Sequence, residues 1–121
     1  MSRLAADASV FHAIADPTRR AILDLLREGE QTVSAMFEAI RKRVRKMTQP
    51  AFSQHLAVLR GAGLVSVRRE GRHRLYSFRF APLEEVVDWV AHYEAFWSEK
   101  LDNLSRYIDR SPKRVKRKGT S

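Results

Sequence analysis

A chain of 121 residues is one domain by length, large enough for a modest core but small enough to gain from a partner. It has no cysteine, which excludes disulfides and thiolate metal sites, and no apolar run reaches the length of a membrane span or a signal-peptide core. The net charge of +9 is local: two short runs, Arg41 to Lys46 and Lys113 to Lys118, hold ten of the 23 basic residues, and the remainder is close to neutral.

Val10, Phe11 and Ile14 mark a short first helix that ends before Asp16-Pro17. Asp16 caps a second helix with Pro17 at its first position, where a missing N–H costs nothing. Its inward face is Ala21, Ile22, Leu25 and Leu26, and Gly29 ends it. Thr32 caps a third helix with an apolar face of Val33, Met36, Phe37 and Ile40; the same spacing runs on through Val44 to Met47, which predicts a longer helix. Thr48 caps a fourth helix, Pro50 sits in its first turn, Phe52, Leu56 and Leu59 face inward, and Gly61 and Gly63 close it.

From Leu64 the period becomes two. Val65 and Val67 alternate with Ser66 and Arg68, and Tyr76, Phe78 and Phe80 alternate with Ser77 and Arg79. The turn between them, Arg69-Glu70-Gly71-Arg72-His73, gives a hairpin with a basic tip. Pro82 opens a last helix expected to run roughly 28 residues, about 40 Å, to around Asp109. Ser111 to Ser121 has no apolar face and reads as a disordered basic tail, so the expected organisation is a folded domain over 1–110 and a tail over 111–121.

The fourth helix carries the chemistry. Opposite its apolar side stand Gln49, Ser53 and Gln54, short groups that donate and accept hydrogen bonds at base edges. His55, next to Leu56, is expected to turn into the helical body in a structural role. The two basic runs suit a polyanion, nucleic acid first, because neutralising phosphates releases counterions. A membrane is disfavoured, since neither run is interleaved with large apolar residues.

Three stretches, Ala15 to Leu23, Thr48 to Arg60, and Gly63-Leu64-Val65 leading into Arg69 to Arg72, resemble the winged helix-turn-helix regulators of the ArsR/SmtB family, over about residues 8 to 108. The resemblance implies a mainly α fold with a small β-hairpin, in the order α-α-α-α-β-β-α, ending in a long dimerisation helix. It implies a homodimeric prokaryotic transcription factor, usually a repressor, cytoplasmic and nucleoid-associated. Gln49, Pro50, Ser53 and Gln54 would then face the bases, with the wing near the adjoining minor groove or backbone.

The chain departs from that family in two places. Metal-sensing members place a cysteine pair where this chain has Val33 to Phe37. Asp88 and His92 lie one turn apart, but no further ligands follow, and a closed tetrahedral site needs four. Neither a metal nor another cofactor is expected. The run Arg41 to Lys46 also lengthens the usual join between the third and fourth helices.

Contacts to the DNA backbone and from the wing are assigned to Thr32, Arg41, Arg43, Arg45, Lys46, Arg60, Arg68, Arg72 and His73. Strand alternation is read as sending Arg68, Arg72 and Arg74 to one side, with Arg69 on the other. The bland alternative is a charged edge that blocks sheet-to-sheet pairing.

The final helix carries Val86, Trp89, Val90, Tyr93, Phe96, Trp97, Leu101, Leu104 and Ile108, a stripe longer than the small body can cover. Left in water it would cost about 25 cal/mol per Å². A second copy relieves this with two-fold symmetry, through Phe11, Ile14, Trp89, Tyr93, Phe96, Trp97, Leu101 and Leu104. The expected function is a sequence-specific, homodimeric regulator of double-stranded DNA, with a small-molecule effector site conceivable at the dimer helices. The alternative is a non-specific architectural winged helix. An enzyme is disfavoured, because no nucleophile–base pair or phosphate loop is present.

Overall fold

Each helix of the N-terminal part begins where a short polar side chain can satisfy free N–H groups. The computed structural model describes residues 9–110; the expected basic tail, 111–121, lies outside the described residues. Helix α1 (Val10–Ile14) starts at Ser9, whose Oγ accepts from the His12 N–H at 3.0 Å. Helix α2 (Pro17–Leu26) starts at Asp16, whose Oδ2 accepts from the N–H groups of Thr18 (2.8 Å) and Arg19 (3.0 Å). Thr32 caps α3 (Val33–Arg43) and Thr48 caps α4 (Gln49–Gly61), each hydroxyl accepting at 3.2 Å from the N–H three residues on. The capping residues expected at Asp16, Thr32 and Thr48 are all observed.

Helix α4 ends on Gly63, whose φ of 76° is open to glycine at little cost. The Gly63 N–H bonds the Arg60 carbonyl at 2.9 Å and the Leu64 N–H bonds the Leu59 carbonyl at 3.0 Å, which closes the last turn and points the chain into a strand.

Strands β2 (Val65–Glu70) and β3 (His73–Phe78) pair antiparallel, with Val65 opposite Phe78 and Glu70 opposite His73. Their turn is only Gly71-Arg72, shorter than the five residues read from the sequence, and Gly71 takes the positive φ of 64° that a two-residue hairpin needs. A third strand was not anticipated. β1 (Gln31–Thr32) pairs with β3 at Tyr76 and Leu75, giving the order β1-β3-β2.

Phe52, Ile22, Met36, Ile40, Leu59 and Leu64 are fully buried at the centre of the core. On α2 the buried residues are Ile22, Leu23 and Leu26, while Ala21 and Leu25 are only partly covered. Leu23 was absent from the expected inward face; α2 is flanked by α1, α3, α4 and β3, so its apolar side is wider than one stripe. Helix α3 also stops earlier than its periodicity implies. Val44 leaves the helix at φ −120°, yet Val44 and Met47 still pack on the core, so burial in a loop had mimicked helical spacing.

The last helix is two helices. A 3-10 turn (Ala81–Leu83) leads into α5 (Glu84–Ala91), and α6 follows (Glu94–Arg110). At the break the N–H groups of His92 and Tyr93 bond the carbonyls three residues back, Trp89 and Val90. The Asp88 carbonyl, which a continuous helix would give to the His92 N–H, instead accepts from His92 Nδ1 at 3.0 Å. A side chain has entered the backbone ladder, a recognised cause of a helix break.

Candidate nucleic-acid interface

Helix α4 divides cleanly. Phe52, Leu56 and Leu59 are buried, and the Phe52 ring meets Phe37 of α3 at 5.3 Å between centroids. Gln49, Pro50, Ser53 and Gln54 are exposed along the other side, where a duplex can reach them. This is the distribution expected from the sequence, with amides and a hydroxyl held outward by an anchored apolar face.

His55 turns inward, as expected. Its Nδ1 lies 3.1 Å from Arg19 Nη1 and 4.0 Å from Asp16 Oδ2. Burial alone would raise the Asp16 carboxyl. The Arg19 N–H, the His55 ring, the Arg19 guanidinium and the Thr18 N–H together outweigh it and hold the carboxyl below its ordinary value.

The wing arginines are sorted differently from the sequence reading. The register sets Arg69 opposite Arg74 and Val67 opposite Tyr76, so Arg74 shares its face with Val65 and Val67. Arg68 stands on the reverse face, opposite Leu75. Across a two-residue turn an even position on β2 faces an odd one on β3, and counting straight through the turn had put Arg68 and Arg74 together. Arg72 occupies the turn itself, and His73 begins β3 beside it; both are exposed.

These two arginines also differ in charge environment. Arg68 donates from Nε and Nη2 to Glu30 at 2.8 and 2.9 Å, and Nη2 reaches Glu70 at 3.4 Å. Ser77 Oγ donates to the same Glu30 carboxylate at 3.1 Å. The Arg68 and Ser77 hydrogen bonds hold Glu30 below the usual carboxylate range, and the Glu30 bond and charge push Arg68 up. Arg74 instead lines a groove of about 590 Å³ between α4 and β3, together with Ser53, Arg60 and Tyr76. Neither Arg60 nor Arg74 has an ion pair among the described residues. Arg60 is among the expected contacts and Arg74 is not; pairing across the two-residue turn is what brings Arg74 to this groove.

Arg41 and Arg43 lie in the last turn of α3, and Arg45 and Lys46 in the join to α4; all four are exposed. The Arg41 guanidinium sits 5.6 Å from the centroid of the Phe37 ring. Thr32 is half-buried, its hydroxyl oxygen accepting at the α3 cap and its backbone paired with β3.

The C-terminal helices form a unit of their own from Val87 onward. Trp89, Val90, Tyr93, Phe96 and Trp97 line a hollow of about 470 Å³ that is almost wholly apolar, and Leu101 and Leu104 continue the exposed stripe along α6. In α1, Phe11 is exposed, whereas Ile14 packs partly on the core. Among the described residues no group of three or more His, Asp or Glu is arranged to hold a metal, and no helix is long and apolar enough to cross a membrane.

The sequence pattern described as bacterial regulatory protein, arsR family, matches residues 16–67. The transcriptional repressor SdpR of Bacillus subtilis is 35% identical over 85 residues, 70% of this chain and 89% of SdpR. Among solved structures, an ArsR family transcriptional regulator is 33% identical with a TM-score of 0.61, covering 73% of this chain and 91% of its own. An ArsR-like transcriptional regulator from Rhodococcus sp. RHA1 is 27% identical with a TM-score of 0.60, covering 88% of this chain and 96% of its own.

Proposed function

The chain belongs to the ArsR family of bacterial regulatory proteins, whose members are transcriptional regulators, and from that membership we propose a homodimeric repressor that reads an inverted-repeat operator with the outer face of α4. The observation that carries the reading is the division of α4: Phe52, Leu56 and Leu59 are buried while Gln49, Pro50, Ser53 and Gln54 stand free. Gln49, Ser53 and Gln54 bond base edges, each contact contributing about 1–3 kcal/mol of discrimination. Pro50 shapes the turn that meets the groove.

Arg60 and Arg74, on the groove beside Ser53, take phosphates of one strand, and Arg72 and His73 carry the tip toward the adjoining groove. Arg41, Arg43, Arg45 and Lys46 supply further phosphate contacts ahead of the reading helix. Arg68 braces the wing against Glu30. The apolar stripe of Trp89, Tyr93, Phe96, Trp97, Leu101 and Leu104, with Phe11 and Ile14 of α1, joins two copies. Two reading helices then stand about 34 Å apart on one face of the duplex. A small apolar effector would act most directly at the dimer helices, and the working compartment is the prokaryotic cytoplasm.

The test is fluorescence anisotropy with the duplex upstream of the protein's own gene and a shuffled duplex of equal length, at two salt concentrations. A preference of about a thousandfold or more is expected. Equal binding that collapses with salt would instead favour a non-specific architectural protein. In the same assay Gln54→Ala should lower the preference by about tenfold while shuffled DNA binds as before. Unchanged preference would remove Gln54 from the reading set.

A second comparison separates the arginines. Arg74→Ala should reduce the slope of log affinity against log salt by about one, whereas Arg68→Ala should leave it unchanged. Equal losses for the two variants would return Arg68 to the phosphate contacts.

A further inference from the structure

The Arg19 side chain folds back over the start of its own helix and reaches two others. Its Nε donates to the Ala13 carbonyl at 2.8 Å and its Nη2 to the His12 carbonyl at 3.2 Å, both at the C-terminal end of α1. Its Nη1 lies 3.1 Å from Nδ1 of His55 on α4. A guanidinium has donors only, so Nδ1 must accept and the proton of the neutral ring sits on Nε2.

We infer that Arg19 is a positioning residue for DNA reading, tying His55 and the recognition helix to the end of α1. The inference rests on the operator-reading role of α4 proposed above. His55 lies between Gln54, exposed on the reading face, and Leu56, buried in the core. Fixing the imidazole therefore fixes the roll of the helix at the residue that meets the bases. Helix α1 also carries Phe11 and Ile14 of the proposed dimer contact, so the guanidinium is a polar link from that contact to the reading face.

The same Nδ1 of His55 lies 4.0 Å from Asp16 Oδ2, so the carboxylate that caps α2 borders the link.

Two variants and one spectrum test it on the full-length protein. Arg19→Lys keeps the charge but cannot span α1 and α4 together. His55→Phe keeps a ring and removes the acceptor. Binding of each to the operator and to the shuffled duplex would be compared with the wild type. Circular dichroism would confirm that each variant is folded.

Arg19→Lys should lose about tenfold or more of the operator preference, a factor equivalent to a single hydrogen bond, while shuffled DNA binds as before. His55→Phe, which lacks the acceptor, should lose as much. Nitrogen-15 spectra of the imidazoles should report His55 as the Nε2–H tautomer at neutral pH.

Full preference in Arg19→Lys or in His55→Phe, or an Nδ1–H tautomer, would each overturn the inference. A wild type with no operator preference would overturn the operator-reading role instead, and the tautomer spectrum would still decide whether the Arg19–His55 link exists.

Discussion

Trp97→Glu is expected to yield a folded monomer whose operator affinity is lower by about a hundredfold or more. Trp97 is half-exposed beside Phe96 on an apolar hollow, and none of the buried core residues comes from α6. The substitution therefore leaves the N-terminal core intact and places a charge where a partner helix should pack. Truncating an aromatic anchor at an interface costs about 2–4 kcal/mol, and a two-fold interface contains it twice. The dimer constant should then weaken by about a thousandfold or more. A monomer also forfeits the linkage between half-sites, which is commonly worth about 10²–10⁴ in affinity. Light scattering reads the mass and anisotropy reads the operator. A variant that remains dimeric would show that this face serves another ligand and that the copies join elsewhere.

Phe52→Ala should destabilise the protein by about 3–5 kcal/mol. The ring is 1% exposed and packs between the core and Phe37, at the point where α4 meets α3. Small domains have only about 5–15 kcal/mol to lose, so the variant would melt far below the wild type, at roughly 4–8 °C per kcal/mol. Its effect on DNA binding should come through unfolding and diminish on cooling, unlike that of Gln54→Ala, which removes a contact from an intact surface. Thermal and urea unfolding measure the difference. A loss below about 1 kcal/mol would mean that the reading helix is not anchored through Phe52.

What could be read from the sequence was decided within a few residues. Asp16, Thr32 and Thr48 cap helices because each oxygen needs only an N–H two or three positions on. The exposed Gln49, Ser53 and Gln54 and the inward His55 follow from the period of one helix. Features decided by distant partners were not legible. Gln31 and Thr32 are a strand only because Tyr76 and Leu75 stand beside them.

The break at His92 is a local contest that apolar spacing does not register, since the stripe continues on both sides of it. Val44 and Met47 kept helical spacing after the helix had ended, because loop residues bury too. The faces of Arg68 and Arg74 were not legible because the parity of the hairpin depends on a turn of two residues, and Glu30, which pairs with Arg68, lies in another part of the chain.

The Glu30 carboxylate gathers Arg68 of β2 and Ser77 of β3 into one bonded group. A loose hairpin ordered only on meeting a duplex would give up about 1–2 kcal/mol of backbone freedom per residue at that moment. Here the loss is taken during folding, before any encounter. A wing braced in this way would bend less to suit the duplex it meets, and groove width varies with base composition. On the proposed role it would act as a gauge, favouring stretches of the right width without touching a base.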